Sequence, residues 1–119
     1  MIGLDSNVLL RFVVGDDPEQ ARAAREVMAG LTTKEPGFIS LVTLVEFAWV
    51  LARGYRRAPE QVLDHVADLL ASAELEFEDG ETVWRALAQA RAGADLADAI
   101  VADTAETFGC TETVTFDRR

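Results

Sequence analysis

The chain has 119 residues, half of them hydrophobic, with 21 acids against 11 bases and a net charge of −10. That length holds one domain with a real core, the composition argues against disorder, and no apolar stretch is long enough for a membrane span. One cysteine, Cys110, excludes an internal disulfide and suits a reducing cytoplasm, and with a single histidine, His65, it leaves too few ligands for a usual zinc site.

Met1 to Asp5 reads as a short buried strand, and Ser6 caps a helix running to about Val14. The opening MIGLDSNVLLRFVVGDD has neither a basic start nor a small-residue cleavage site, so no signal peptide is expected. Gly15-Asp16-Asp17 breaks the chain. Asp17 caps the next helix, with Pro18 at its first position and Gln20 completing a capping-box pattern, and that helix runs to about Leu31. Pro36-Gly37 is a turn, Phe38-Ile39 a short strand, and Ser40 caps a helix ending at Gly54. Pro59 opens a further helix to about Ser72, with Val62, Leu63, Val66, Leu69 and Leu70 at helical spacing. Leu75 to Phe77 is a strand, Asp79 starts a helix that stops near Gly93, and Asp95 caps another ending at Gly109. Thr113 to Phe116 is a final strand. No repeat, low-complexity tract or linker interrupts the series, so residues 1–119 are expected to form a single domain. Strands alternating with helices predict a parallel sheet covered by helices. The fold class is α/β.

Four acids stand in, or end, apolar segments. Ile2-Gly3-Leu4 runs into Asp5, Phe38 to Ala52 holds one charge at Glu46, Leu96 to Ala102 holds only Asp98, and Val114-Thr115-Phe116 runs into Asp117. A lone carboxylate is costly to bury without a cation or a dense set of donors. Eleven bases cannot pair with 21 acids. Acids converging on a divalent ion are the economical explanation, and oxygen donors select Mg²⁺ or Mn²⁺. In such sheets ligands collect beyond the carboxyl ends of the strands, where Asp5 and Asp117 fall, with Glu46 and Asp98 in following helices. Asp95 lies three residues before Asp98 and can share its helix face. Val42, Thr43, Trp49 and Val50 neighbour Glu46 at helical spacing, which predicts a partly buried setting for it. Each acid also has a plainer reading: Asp5 as a helix cap, Asp98 as a helix-start acid favoured by the dipole, Glu46 as a paired core acid, Asp117 as a turn or cap.

Phosphate binding favours a basic surface, so the net charge weakens a nucleic-acid reading without removing it. The bases are uneven: Arg53, Arg56 and Arg57 surround Tyr55, a cluster that reads first as a solvated helix end. Trp49, Trp84 and Phe47 read as core or dimer contacts rather than base-stacking platforms, and His65 as a surface residue. Trp49, Val50, Leu51 and the apolar positions of the Pro59 to Ser72 helix offer more hydrophobic surface than so small a domain readily buries, which favours self-association.

Taken in order, LDSNVLLR, TLVEFAWVL, DLADAIVA and TVTFDRR resemble the PIN-domain ribonucleases, and within them the VapC-type toxins of bacterial toxin–antitoxin pairs. The likeness runs nearly end to end. It implies a PIN-like three-layer sandwich with a central parallel sheet flanked by helices. It implies Mg²⁺-dependent (or Mn²⁺-dependent) hydrolysis of RNA to a 3′-hydroxyl and a 5′-phosphate, with no nucleophilic role for the 2′-hydroxyl. Asp5, Glu46 and Asp98 would be the main acidic triad, Asp117 the fourth acid, and Asp95 an assisting one. Ser6 stands where Ser or Thr is common, and Asn7 follows in its usual place. The resemblance further implies a VapB-type antitoxin as protein partner, a homodimer, and a cytoplasmic location. Relatives usually continue past the TFDRR region into a last strand, so a final edge strand is expected to be missing or built differently. A PIN-like module without activity, serving as a partner scaffold, stays open as the alternative, although all four acids remain in place. A phosphoacceptor receiver domain fails, because Asp5 is followed by Ser6-Asn7 and the sole lysine is Lys34.

Overall fold

The structure, a computed structural model, describes residues 1–116. In chain order the elements are β1 (Ile2–Gly3), α1 (Ser6–Val14), α2 (Pro18–Ala29), β2 (Gly37–Ile39), α3 (Leu41–Arg53), α4 (Pro59–Ala71), β3 (Leu75–Phe77), α5 (Gly80–Arg91) and α6 (Leu96–Thr107). The strands form one parallel sheet in the order β1-β2-β3. Ile2 stands opposite Gly37, and Phe38 opposite Glu76. This is the α/β class with a parallel sheet that the alternation of elements predicts. The chain divides into two compact units, Met1–Gly80 and a second beginning at Glu81.

In the first unit, short-range chemistry sets the helix limits. Asp17 accepts hydrogen bonds from the backbone N–H groups of Glu19 and Gln20, and Pro18 fills the first helical position. Ser40 Oγ accepts from Thr43 N–H at 3.1 Å and starts α3 directly after β2. Gly15, at φ 66°, ends α1 in the left-handed conformation that glycine adopts without penalty. A Cβ on Gly37 would lie 2.7 Å from Leu4 Cδ1 and 2.9 Å from Leu31 Cδ1, so the absent side chain is what lets two leucines close over the central strand. Helix α1 packs on α2 and α3, and α3 packs on α4. The core stripe of α3 is Leu44, Phe47, Ala48 and Leu51, and that of α4 is Val62, Leu63, Val66 and Leu69. The second unit buries Val83, Ala86 and Leu87 of α5 and Leu96, Ala99 and Ile100 of α6.

Four expectations need correction. The first strand is not buried: Ile2 is 51% exposed, because β1 is the outermost strand of the described sheet and pairs on one side only. Asp5, not Ser6, is the N-cap of α1. Thr113 to Phe116 forms no strand among the described residues, and Val114 and Phe116 are exposed. Strand composition yields a strand only where a neighbouring backbone completes the ladder. Of the apolar positions expected to offer free surface, Leu51 and Val62, Leu63, Val66 and Leu69 of α4 are buried and Val50 and Leu70 half-buried, while Trp49 is exposed as expected, together with Val42, Trp84 and Phe108 among others. No helix among the described residues is long and apolar enough to cross a membrane.

Candidate active site

At the carboxyl end of β1 the chain alternates in, out, in. Leu4 is buried and still in the ladder, its N–H bonded to Phe38 O at 2.9 Å. Asp5 then turns outward in extended conformation and accepts from Val8 N–H at 3.2 Å, which starts α1. Ser6 turns inward, is buried, and donates its hydroxyl proton to Glu46 Oε1. This contact joins the segment after β1 to the second turn of α3, the helix that leaves β2. Asp5 and Glu46 are thereby carried to the same end of the sheet by adjacent strands. Another acid, Glu78, follows β3 and accepts from Leu41 N–H at 3.0 Å, at the N-terminus of α3. Glu78 is not among the acids that the sequence marks. Its signal was available, as an acid one residue past a correctly read strand.

Glu46 does not occupy the partly buried setting expected of it; its side chain is exposed. Helix α3 is apolar on almost every side, and its outward-facing residues Val42 and Trp49 are 77% and 61% exposed. An apolar run therefore marks the helix without marking which acid is covered. Trp49 and Trp84 are likewise exposed rather than core, whereas Phe47 is fully buried.

In the second unit Asp95 caps α6, its Oδ2 accepting from Asp98 N–H at 3.1 Å. The Asp98 carboxylate is exposed in the first helical turn. Asp117 lies outside the described residues. Among the described residues no three His, Cys, Asp or Glu side chains are grouped as a ready-made metal cage. Mg²⁺ is commonly held by one or two carboxylates while keeping several waters. The exposed carboxylates of Asp5 and Glu46, oxygen donors only, fit a hard cation of that kind.

Among the described residues the buried acid is Asp103, which stands outside the acids that the sequence marks. It continues the inward stripe of Leu96, Ala99 and Ile100 and meets Arg85 side-on, with Nε to Oδ1 and Nη2 to Oδ2 both at 2.9 Å. The paired hydrogen bonds from Arg85, aided by Thr82, hold its carboxyl below the ordinary value of 3.8, against the opposing effect of burial. A depressed acid adds stability above its unfolded pKa and loses that contribution as pH falls through the folded one. Asp103→Asn, which keeps one acceptor and turns an amide toward the guanidinium, is expected to lower the melting temperature at neutral pH. As pH falls below about 4 the gap from the parent should narrow, closing only once pH passes the lowered folded value. Coincident melting temperatures across the whole acid range would show that the ion pair contributes nothing, and a constant gap that its contribution is not electrostatic.

The family description PIN domain matches residues 2–119. No curated protein and no solved structure matches the chain. PIN domains are generally nucleases, and the match takes in every segment that carries Asp5, Glu46, Asp98 and Asp117. On that coverage, with acids placed after successive parallel strands, the chain belongs to the PIN domain family.

Proposed function

We propose that this protein is a Mg²⁺-dependent (or Mn²⁺-dependent) endoribonuclease acting as a VapC-type toxin in the cytoplasm. The observation that carries the reading is the Ser6 to Glu46 hydrogen bond, which sets Glu46 beside the residue that follows Asp5 in a PIN domain. Asp5 and Glu46 would hold a divalent ion, whose chemistry would be to lower the pKa of water toward neutral pH and to offset charge on the scissile phosphate. Asp5 is oriented by the Val8 N–H on one oxygen, and its carboxylate would be available to such an ion. Ser6 spends its proton on Glu46 Oε1, which limits the rotamers of a side chain that is otherwise free in solvent. Asp98 is the third acid of the set, on a helix turn that Asp95 pins by its cap, and Asp117 is the fourth.

The controlling partner is a VapB-type antitoxin. An arginine from such a partner can bridge several carboxylates in place of ion and phosphate, and the charge of −10 speeds its capture. In the first unit, a cleft lined by Phe12, Met28, Leu31 and Leu69, with His65 and Asp68 among its polar residues, suits an apolar helix of that partner. A homodimer covers exposed apolar side chains such as Trp84.

The test is cleavage of short RNAs by purified protein. Mg²⁺ or Mn²⁺ should be required, EDTA should stop the reaction, excess Mn²⁺ should restore it, and the products should carry 5′-phosphates. Cleavage that persists in EDTA, or that leaves a 2′,3′-cyclic phosphate, overturns the proposal.

A further inference from the structure

The outward face of α3 carries a line of four exposed side chains: Val42, Glu46, Trp49 and Arg53. At about 100° per residue these positions fall within roughly 60° of arc, opposite the buried stripe of Leu44, Phe47, Ala48 and Leu51. Leu41, Val42, Val45, Glu46 and Trp49 line a shallow open depression on this face. Large apolar side chains left in water beside a carboxylate have no role in this unit's core. Trp49 stands one turn beyond Glu46, and Arg53 one turn beyond Trp49, the whole line from Glu46 to Arg53 rising about 10 Å along the axis. Past Arg53 comes Arg56, also exposed, and among the described residues no acid pairs with either. Two exposed arginines thus follow an exposed aromatic ring here, in a chain of net charge −10.

We infer that this face is a substrate platform on which one base of single-stranded RNA stacks on Trp49 while a flanking phosphate meets Arg53. The inference rests on the nuclease reading, which puts the scissile phosphate at Glu46. A ring for the base and a guanidinium for the phosphate are what single-strand recognition without base reading requires. The order along the helix sets a polarity, from acid to ring to base, so that the stacked nucleotide lies to one side of the cut. Stacking tolerates any base, which makes Trp49 a determinant of strandedness and register more than of sequence.

The protein has two tryptophans, so Trp84→Phe leaves Trp49 as the only reporter of indole fluorescence. Rapid mixing of that variant with a short single-stranded RNA and Mg²⁺ should quench its emission before cleavage. Trp49→Ala should raise KM about tenfold with kcat within about twofold, and Trp49→Phe should restore most of the loss. An RNA abasic at the stacked position should bind equally weakly to parent and Trp49→Ala proteins. Arg53→Gln should reduce the salt dependence of binding by about one counterion. An unchanged KM in Trp49→Ala overturns the inference. So does a shift from dimer to monomer with RNA affinity intact, which assigns the face to a second copy, or loss of antitoxin binding alone, which assigns it to that protein. Should no RNA be cleaved under any condition, the nuclease reading fails by itself. The quench then decides the platform: its presence sustains RNA docking, its absence ends it.

Discussion

Glu46→Gln and Asp98→Asn are each expected to lower RNA cleavage by at least about 100-fold while leaving the folding transition in place. Each amide keeps the shape of its acid and removes the charge that would hold a cation. The fold should tolerate both changes, for reasons visible at each position. Glu46 is exposed, and the Gln carbonyl can still accept the Ser6 hydroxyl that reaches it in the parent. At Asp98 the bond that caps α6 uses the backbone N–H, which the substitution does not touch. Removing one negative charge from a chain of −10 relieves repulsion, so the melting temperature should hold or rise slightly. Expressed in cells, the parent should arrest growth and both variants should not. Near-parental, Mg²⁺-dependent cleavage by both variants would place the chemistry outside these acids.

One residue further along α3, the consequence of substitution reverses. Phe47 is 0% exposed, at the centre of the stripe that faces the rest of the first unit. Phe47→Ala removes the largest fully buried side chain and leaves a cavity, at a cost of about 3–5 kcal/mol. Against a typical total of about 5–15 kcal/mol, that is a large share of the stability. For a unit of this size the melting temperature should drop by ten degrees or more, roughly. Far-ultraviolet circular dichroism during heating measures it, and cleavage should disappear together with the helical signal rather than before it. A loss below about 1 kcal/mol would mean that α3 is not packed as described. The two neighbours thus separate the roles of one helix: Glu46 reports chemistry, Phe47 reports the fold.

Much of the fold was legible because its signals act over three or four residues. Ser40 and Asp17 name helix starts through bonds to backbone N–H groups two or three positions on, and Gly15 names an end through its φ. Strand β3 spans Leu75–Phe77, the limits its sequence predicts. The same locality explains the confusion between Asp5 and Ser6. Both are good caps, one residue apart, and the decision between them came from elsewhere: Ser6 is drawn inward by Glu46, forty residues away in the chain.

What the sequence determined by itself was the α/β class, the family, and the order and limits of most helices, since each depends on nearby residues or on the pattern of whole motifs. The tertiary structure decided which faces are covered. An apolar helix such as α3 has several sides that composition cannot rank, and only packing against α1 and α4 buries Phe47 and leaves Glu46 and Trp49 in water. The same holds for Asp103, an unremarked acid until Arg85, eighteen residues away, closes on it with two hydrogen bonds. Val114 to Phe116 had the composition of a strand, yet the described residues there adopt none. A side chain's chemistry is written in the chain, but the dielectric around it and the partners within reach of it are set by what folds against it.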